Sequence, residues 1–241
     1  MSVTAAKGFT AAGIAAGIKE NGNPDLALVV NNGPRPAAAG VFTSNRVKAA
    51  PVLWSEQVLK GGRVTAVVLN SGGANACTGH KGFQDTHATA EKVADTLGLN
   101  AAEVAVASTG LIGLRLPMDK LLKGVETAAT SLSEHGGEKA AIAIKTTDSV
   151  HKTSVVTGDG WTVGGMAKGA GMLAPGLATM LVVLTVWVCK NGGVGEDRDL
   201  VDMRYREVHI VADLAAGEET ATIWTNDLTA DYVHENSAYS S

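Results

Sequence analysis

The stretch AKGAGMLAPGLATMLVVLT, Ala167 to Thr185, decides how the chain is read: a glycine-rich segment meets an apolar, β-branched run, with Ala178 and Thr179 at the joint. From Met180 to Cys189 the run is broken only by Thr185. It is too short for a membrane helix of about 20 residues and suits a buried strand. Thr179 then has two readings. It is a β-branched residue starting a strand, which the pattern alone favours. Or it is a nucleophile: if the bond from Ala178 to Thr179 is cut, Thr179 gains an α-amine, of reference pKa about 7.7–8.0, that serves its own hydroxyl as general base. Pro175 and Gly176 permit the strained turn that such an N-to-O acyl shift needs.

Composition sets the outer bounds. A chain of 241 residues with 45% hydrophobic and 18% charged residues can bury a core, in one large domain or two small ones. Aromatics are only 4% and glycines number 29, so that core rests on Ala, Val, Leu and Ile and on close backbone approach. A formal charge of −4, with Lys and Arg scattered, argues against nucleic acid or an anionic membrane as partner. The opening residues carry Lys7 and Lys19 and lack a compact signal core. Cys77 and Cys189 form neither metal spacing nor a disulfide framework, which fits a reducing cytoplasm. The six histidines show no HExxH or paired-ligand spacing, so no metal is expected.

Outward from the deciding stretch, DLALVV (25–30), GVFTSN (40–45) and VTAVVLN (64–70) read as strands. Apolar residues at helical spacing predict a helix from Asp85 to Leu97, stopped by Gly98. EVAVASTG (103–110) returns to strand, and Pro117 opens a second helix through Leu132. HGGEK (135–139) breaks it. AIAIKTTDS (141–149) and KTSVVT (152–157) read as strands, and WTVGGMAKGAGMLAPG (161–176) as a glycine-punctuated loop. REVHIVADL (206–214) and ATIWTND (221–227) alternate as half-buried strands do.

Several short motifs could carry chemistry. In STGLIG (108–113), the Thr109 hydroxyl and the Gly110 N–H could point together at a developing oxyanion, although a strand end followed by a turn explains the same residues. Lys168, eleven residues before Thr179, is either an ordinary solvated lysine or a cation that holds a substrate carboxylate or lowers the pKa of the new amine. TTD (146–148) offers two hydroxyls and a carboxylate. NSGGANACTG (70–79) lacks the ending of a P-loop and the spacing of a dinucleotide fingerprint, and reads as a backbone-shaping loop. GEDRD (195–199) reads as a solvated turn.

Taken in order, GVFTSN, NSGGANACTG, STGLIG, TTD, WTVGGMAKGAGMLAPGLATMLVVLT and TIWTNDLTADYVHENSAYSS resemble the ornithine acetyltransferase family of arginine biosynthesis across nearly the whole chain. The resemblance implies an α/β fold, an α+β sandwich of the N-terminal-nucleophile-like type, that cuts itself between Ala178 and Thr179. An α chain (1–178) and a β chain (179–241) would stay associated, as a heterotetramer of two α and two β chains in the cytoplasm. Thr179 would take the acetyl group from N-acetylornithine and pass it to glutamate, with acetyl-CoA an acetyl donor in some members and no cofactor or metal. Thr109 and Gly110 would line the oxyanion hole. Thr146, Lys168, Thr179, Asn236 and Ser241 would contact substrate.

One departure stands out. After TMLVVLT the family continues with a long segment that includes a substrate-binding glutamate, whereas here Thr185 runs straight into VWVCKNGGVGEDRD. The chain reads as internally deleted after Thr185. Two further readings follow: an inactive remnant that binds ligand or an intact subunit, and an amide-hydrolysing relative in which water replaces glutamate.

Overall fold

A computed structural model describes residues 2–170, 179–188, 209–211 and 222–224. In chain order the first half runs β1 (Phe9–Ile14), β2 (Leu26–Asn31), α1 (Ala50–Leu59), β3 (Ala66–Gly73), α2 (Gly79–Leu97) and β4 (Val104–Leu111). Then come α3 (Met118–Thr130), α4 (Gly137–Ala143), β5 (Lys152–Gly158), β6 (Trp161–Lys168) and β7 (Leu181–Val188), and finally β8 (His209–Val211) and β9 (Thr222–Trp224).

The first sheet has the order β1-β2-β3-β4, antiparallel except for the parallel β3/β4 pair. Period-two alternation divides its side chains between two cores. Leu26, Leu28, Val30, Ala66 and Val68 pack with Ala90, Val93, Leu121 and Val125 of α2 and α3. Ala27, Val29 and Leu69 face the other way, onto Ala140, Ala141 and Met166. On that side lies the second sheet, order β5-β6-β7, all antiparallel. The outcome is an α/β sandwich, as the family resemblance implies. Helix α1 shields the open edge of β4, for Ser55 Oγ both donates to Val106 O (2.7 Å) and accepts from Val106 N (2.9 Å).

Several expectations hold. Strands at 25–30, 64–70, 103–110 and 152–157 are present, and α2 ends at Gly98 with φ +69°. Pro117 is the N-cap of α3. Others are corrected. GVFTSN forms no strand, because Asn45 N–H turns onto Thr43 Oγ1 (3.1 Å) and Val47 N–H onto Asn45 Oδ1 (3.0 Å), local bonds that compete with a ladder. AIAIKTTDS is not a strand. Its first three residues end α4, which begins inside the expected HGGEK break. Alanine favours helix, and α4 lies so close to β1 that a Cβ on Gly13 would sit 2.0 Å from Lys139 O.

The segment at 161–168 is strand β6 rather than loop: its glycines serve close approach, since a Cβ on Gly164 would lie 2.3 Å from Ser2 O. Strand β7 is an outer strand of its sheet and not a buried one, with Thr185 its one fully buried residue. The two closing strands are a three-residue antiparallel pair. Strand β1 and helix α1 have no counterpart in the sequence reading.

Candidate active site

Parallel strands β3 and β4 end together, Ser71 beside Thr109 and Gly72 beside Gly110, with a register shift between Gly72 and Gly73. In open α/β sheets the crevice beyond the carboxyl ends of such strands is where ligands bind. Here the two ends are tied by side chains. Ser108 Oγ donates to Asn70 Oδ1 (2.6 Å), and Asn70 Nδ2 donates to Gly73 O (2.9 Å). Gly110 has φ +130°, and a Cβ on it would lie 2.5 Å from the carbonyl carbon of Gly72. Only glycine fits there without displacement.

Thr109 is 1% exposed and lies on the side of the sheet that faces β6. Lys168, the last residue of β6, comes to meet it: Lys168 Nζ donates to Thr109 Oγ1 at 3.2 Å, across 59 residues of sequence. Lys168 is 5% exposed. Burial lowers its pKa, Asp148 opposes that fall and Lys152 adds to it. The ordinary solvated-lysine reading is thereby excluded.

Around the lysine stands a clasp built on Asp148. Its Oδ1 accepts from Lys152 Nζ (2.9 Å) and from Gly169 N–H (2.7 Å), and its Oδ2 accepts from Thr146 N–H (3.4 Å). Burial alone would raise the Asp148 pKa, but the Lys152 hydrogen bond and the Gly169 and Thr146 N–H groups outweigh it and hold the carboxyl down to about 2. Thr146 is thus drawn to the residue that follows Lys168. Thr179, half-buried, enters two residues before Leu181, which pairs with Lys168. Met180 also lies against Gly169, its Cγ 3.6 Å from where a Cβ would be.

The structure therefore gathers Thr109, Gly110, Thr146, Lys168 and Thr179 at one end of the two sheets. Ala178, Asn236 and Ser241 lie outside the described residues. The sequence pattern leaves Asp148, within TTD, without an assigned role, and gives none to Lys152 or to the Asn70–Ser108 pair. The loop NSGGANACTG does shape backbone: Asn75 and Cys77 take φ +49° and +56°, and buried Asn75 Nδ2 donates to Gly82 O (2.8 Å) and Thr86 Oγ1 (2.9 Å). Among the described residues no group of His, Cys, Asp and Glu could hold a metal ion, and no helix is long and apolar enough to cross a membrane.

Fold and geometry define an α/β sandwich with a candidate site at the carboxyl ends of a parallel strand pair. The chain belongs to the ArgJ family, whose model matches residues 10–186 and again 183–241, two segments that meet within β7. It is 58% identical to the arginine biosynthesis bifunctional protein ArgJ of Streptomyces avermitilis, over 383 residues that take in 100% of both chains. Since this chain has 241 residues, that alignment bridges a long internal stretch that it lacks. Against ArgJ of Mycobacterium tuberculosis it is 65% identical over 191 residues, 76% of this chain and 47% of the relative.

Among solved structures, ornithine acetyltransferase from Mycobacterium tuberculosis in complex with ornithine superposes with a TM-score of 0.71 at 62% identity, covering 75% of this chain and 96% of that one. ArgJ from Bacillus halodurans gives 0.60 at 33% identity, covering 80% and 92%.

Proposed function

We infer that the chain is an acyltransferase of arginine biosynthesis that moves the acetyl group of N-acetylornithine to glutamate through an acetyl-threonine at Thr179. The observation that carries this reading is the buried Lys168–Thr109 pair beside Gly110, with Thr179 entering the strand whose register meets Lys168. Membership of the ArgJ family and the likeness to a structure described as an ornithine acetyltransferase with ornithine support it.

The steps follow from the residues. Cleavage between Ala178 and Thr179 frees the Thr179 α-amine, leaving an α chain (1–178) and a β chain (179–241). That amine takes the Thr179 hydroxyl proton as Oγ1 attacks the acetyl carbonyl. The Thr109 hydroxyl and the Gly110 N–H donate to the developing oxyanion. The bond from acetyl carbon to the ornithine nitrogen breaks, and the proton passes from the Thr179 amine to the departing amine. The neutral amine of glutamate then attacks the ester carbonyl, the Thr179 α-amine takes the proton that this nitrogen gives up, and it passes that proton to Thr179 Oγ1 as the ester bond breaks.

Lys168 has N–H groups beyond the one given to Thr109, and these hold a substrate carboxylate. Thr146, Asn236 and Ser241 add further substrate contacts. No metal or cofactor enters this scheme. Acetyl-CoA is a second acetyl donor by the same ester, and two α and two β chains assemble as a cytoplasmic heterotetramer.

The test is the intact mass of the purified protein beside Thr179→Ala, followed by transfer from N-acetylornithine to isotopically labelled glutamate. Two fragments parting before Thr179, absent in the variant, with labelled N-acetylglutamate formed, are the expected result. A chain that stays whole and transfers nothing sinks the reading in favour of an inactive remnant, and release of free acetate alone would make it a hydrolase.

A further inference from the structure

We propose that Lys19 is a positioning residue of this site, its ammonium clasping two backbone carbonyls so that the loop bearing Thr146 stays against the strand end bearing Gly110. Lys19 Nζ donates to Lys145 O (2.8 Å) and to Pro24 O (2.9 Å). Lys145 directly precedes Thr146, and lies just beyond the C-cap of α4, where carbonyls lack helical partners. The aliphatic stem of Lys19 also reaches the site's floor: its Cγ is 3.3 Å from where a Cβ on Gly72 would be, and Gly72 pairs with Gly110.

The clasp has a rigid base. Asp25, fully buried, accepts from Ala16 N–H (2.6 Å) and from the N–H of Lys19 itself (2.8 Å). The Asp25 carbonyl accepts from Ser71 N–H (2.8 Å), and Ser71 Oγ donates to Ala143 O (2.5 Å). The segment 16–25, the end of β3 and the end of α4 thus form a closed ring of bonds, and the Lys19 ammonium is the member that grips the loop itself. Its position is electrostatically costly. Burial lowers its pKa, Asp25 opposes this, and nearby Lys145 and Lys168 lower it further. Loosening the loop would let Thr146 and Asp148 drift, and with them the backbone next to Lys168.

The activity arm of the test rests on the acetyl-transfer reading, while the structural arm does not. Lys19→Met keeps the stem and removes the N–H groups. In the full chain, amide hydrogen exchange at 144–149 should quicken about tenfold with α2 unchanged. The KM for N-acetylornithine should rise about tenfold with kcat within about twofold. Lys19→Arg, which can still donate to both carbonyls, should recover most of both. If the Met variant is unstable throughout, Lys19→Gln with one carbonyl bond should fall between it and wild type in the same readouts. Unchanged loop exchange in Lys19→Met, or a loosened loop with unchanged KM, would overturn the proposal. Should wild type itself transfer no acetyl group, the activity reading fails and loop exchange still decides the clasp.

Discussion

At Gly110 backbone geometry and proposed chemistry coincide, so one methyl group tests both. In Gly110→Ala the new Cβ meets the Gly72 carbonyl carbon at 2.5 Å and Gly73 N at 2.7 Å, on a residue with φ +130°. Both neighbours are backbone and neither can swing away. The expected cost is about 3 kcal/mol in urea unfolding, with acetyl transfer reduced by at least about 10²-fold as an oxyanion donor is displaced. Asp148 offers a separate test. Its folded pKa of about 2 lies below the ordinary 3.8, so the stability it contributes is present above about 4 and is lost as pH falls towards 2. The amount is about 2 kcal/mol. Unfolding free energy measured across that window should fall less steeply in Asp148→Asn than in wild type, and parallel curves would refute the assignment.

At the scale of elements, legibility follows whether local pattern and tertiary burial agree. Helix α2 is legible because its apolar residues keep helical spacing and Gly98 supplies the left-handed stop. A Cβ on Gly98 would meet nothing within 4 Å, so Gly98→Ala should cost only the backbone strain, about 1 kcal/mol, seen as a lowered urea midpoint with an unchanged slope. Helix α4 is illegible for the opposite reason. After Glu138 and Lys139, Ala140, Ala141 and Ala143 of the helix and its C-cap Ile144 are all fully buried, so polar and apolar residues do not alternate at the helical period there. In β6, Gly164 and Gly165 look like loop residues until Ser2 and Leu184 are seen to crowd them. The site divides in the same way. Thr109, Gly110, Lys168 and Thr179 stand out in linear motifs, but the burial of Lys168 depends on β6 crossing to β4. The grip of Lys19 on Lys145 spans 126 residues, which no local pattern reveals.

At the scale of the whole molecule, helices α2 and α3 cover one face of the first sheet and the second sheet lies towards the other, which leaves the second sheet's own outer face to be accounted for. The register sets Val156, Val163 and Val186 in one row and Trp161 beside Val188 in the next. Val156, Trp161, Val182, Val186 and Val188 are 38–43% exposed. On the inner face Leu181 and Val183 join the core, and Thr185 donates to Val3 O (2.7 Å). The two segments that match the family meet within this same strand, so the long stretch present in the Streptomyces relative is missing beside this partly exposed apolar face. Strand β7 carries no proline and no charge to discourage pairing with another chain. Polar substitution on the outer face should therefore act on solubility and not on folding. Val182→Thr with Val186→Thr should raise the concentration at which the protein stays monodisperse by light scattering, while unfolding free energy moves by no more than about 0.5 kcal/mol per site. Val183→Thr on the inner face should do the reverse, costing about 1–2 kcal/mol with no gain in solubility. If all three behaved alike, the outer face would be packed against something, and the division of β7 into a core side and an open side would be wrong.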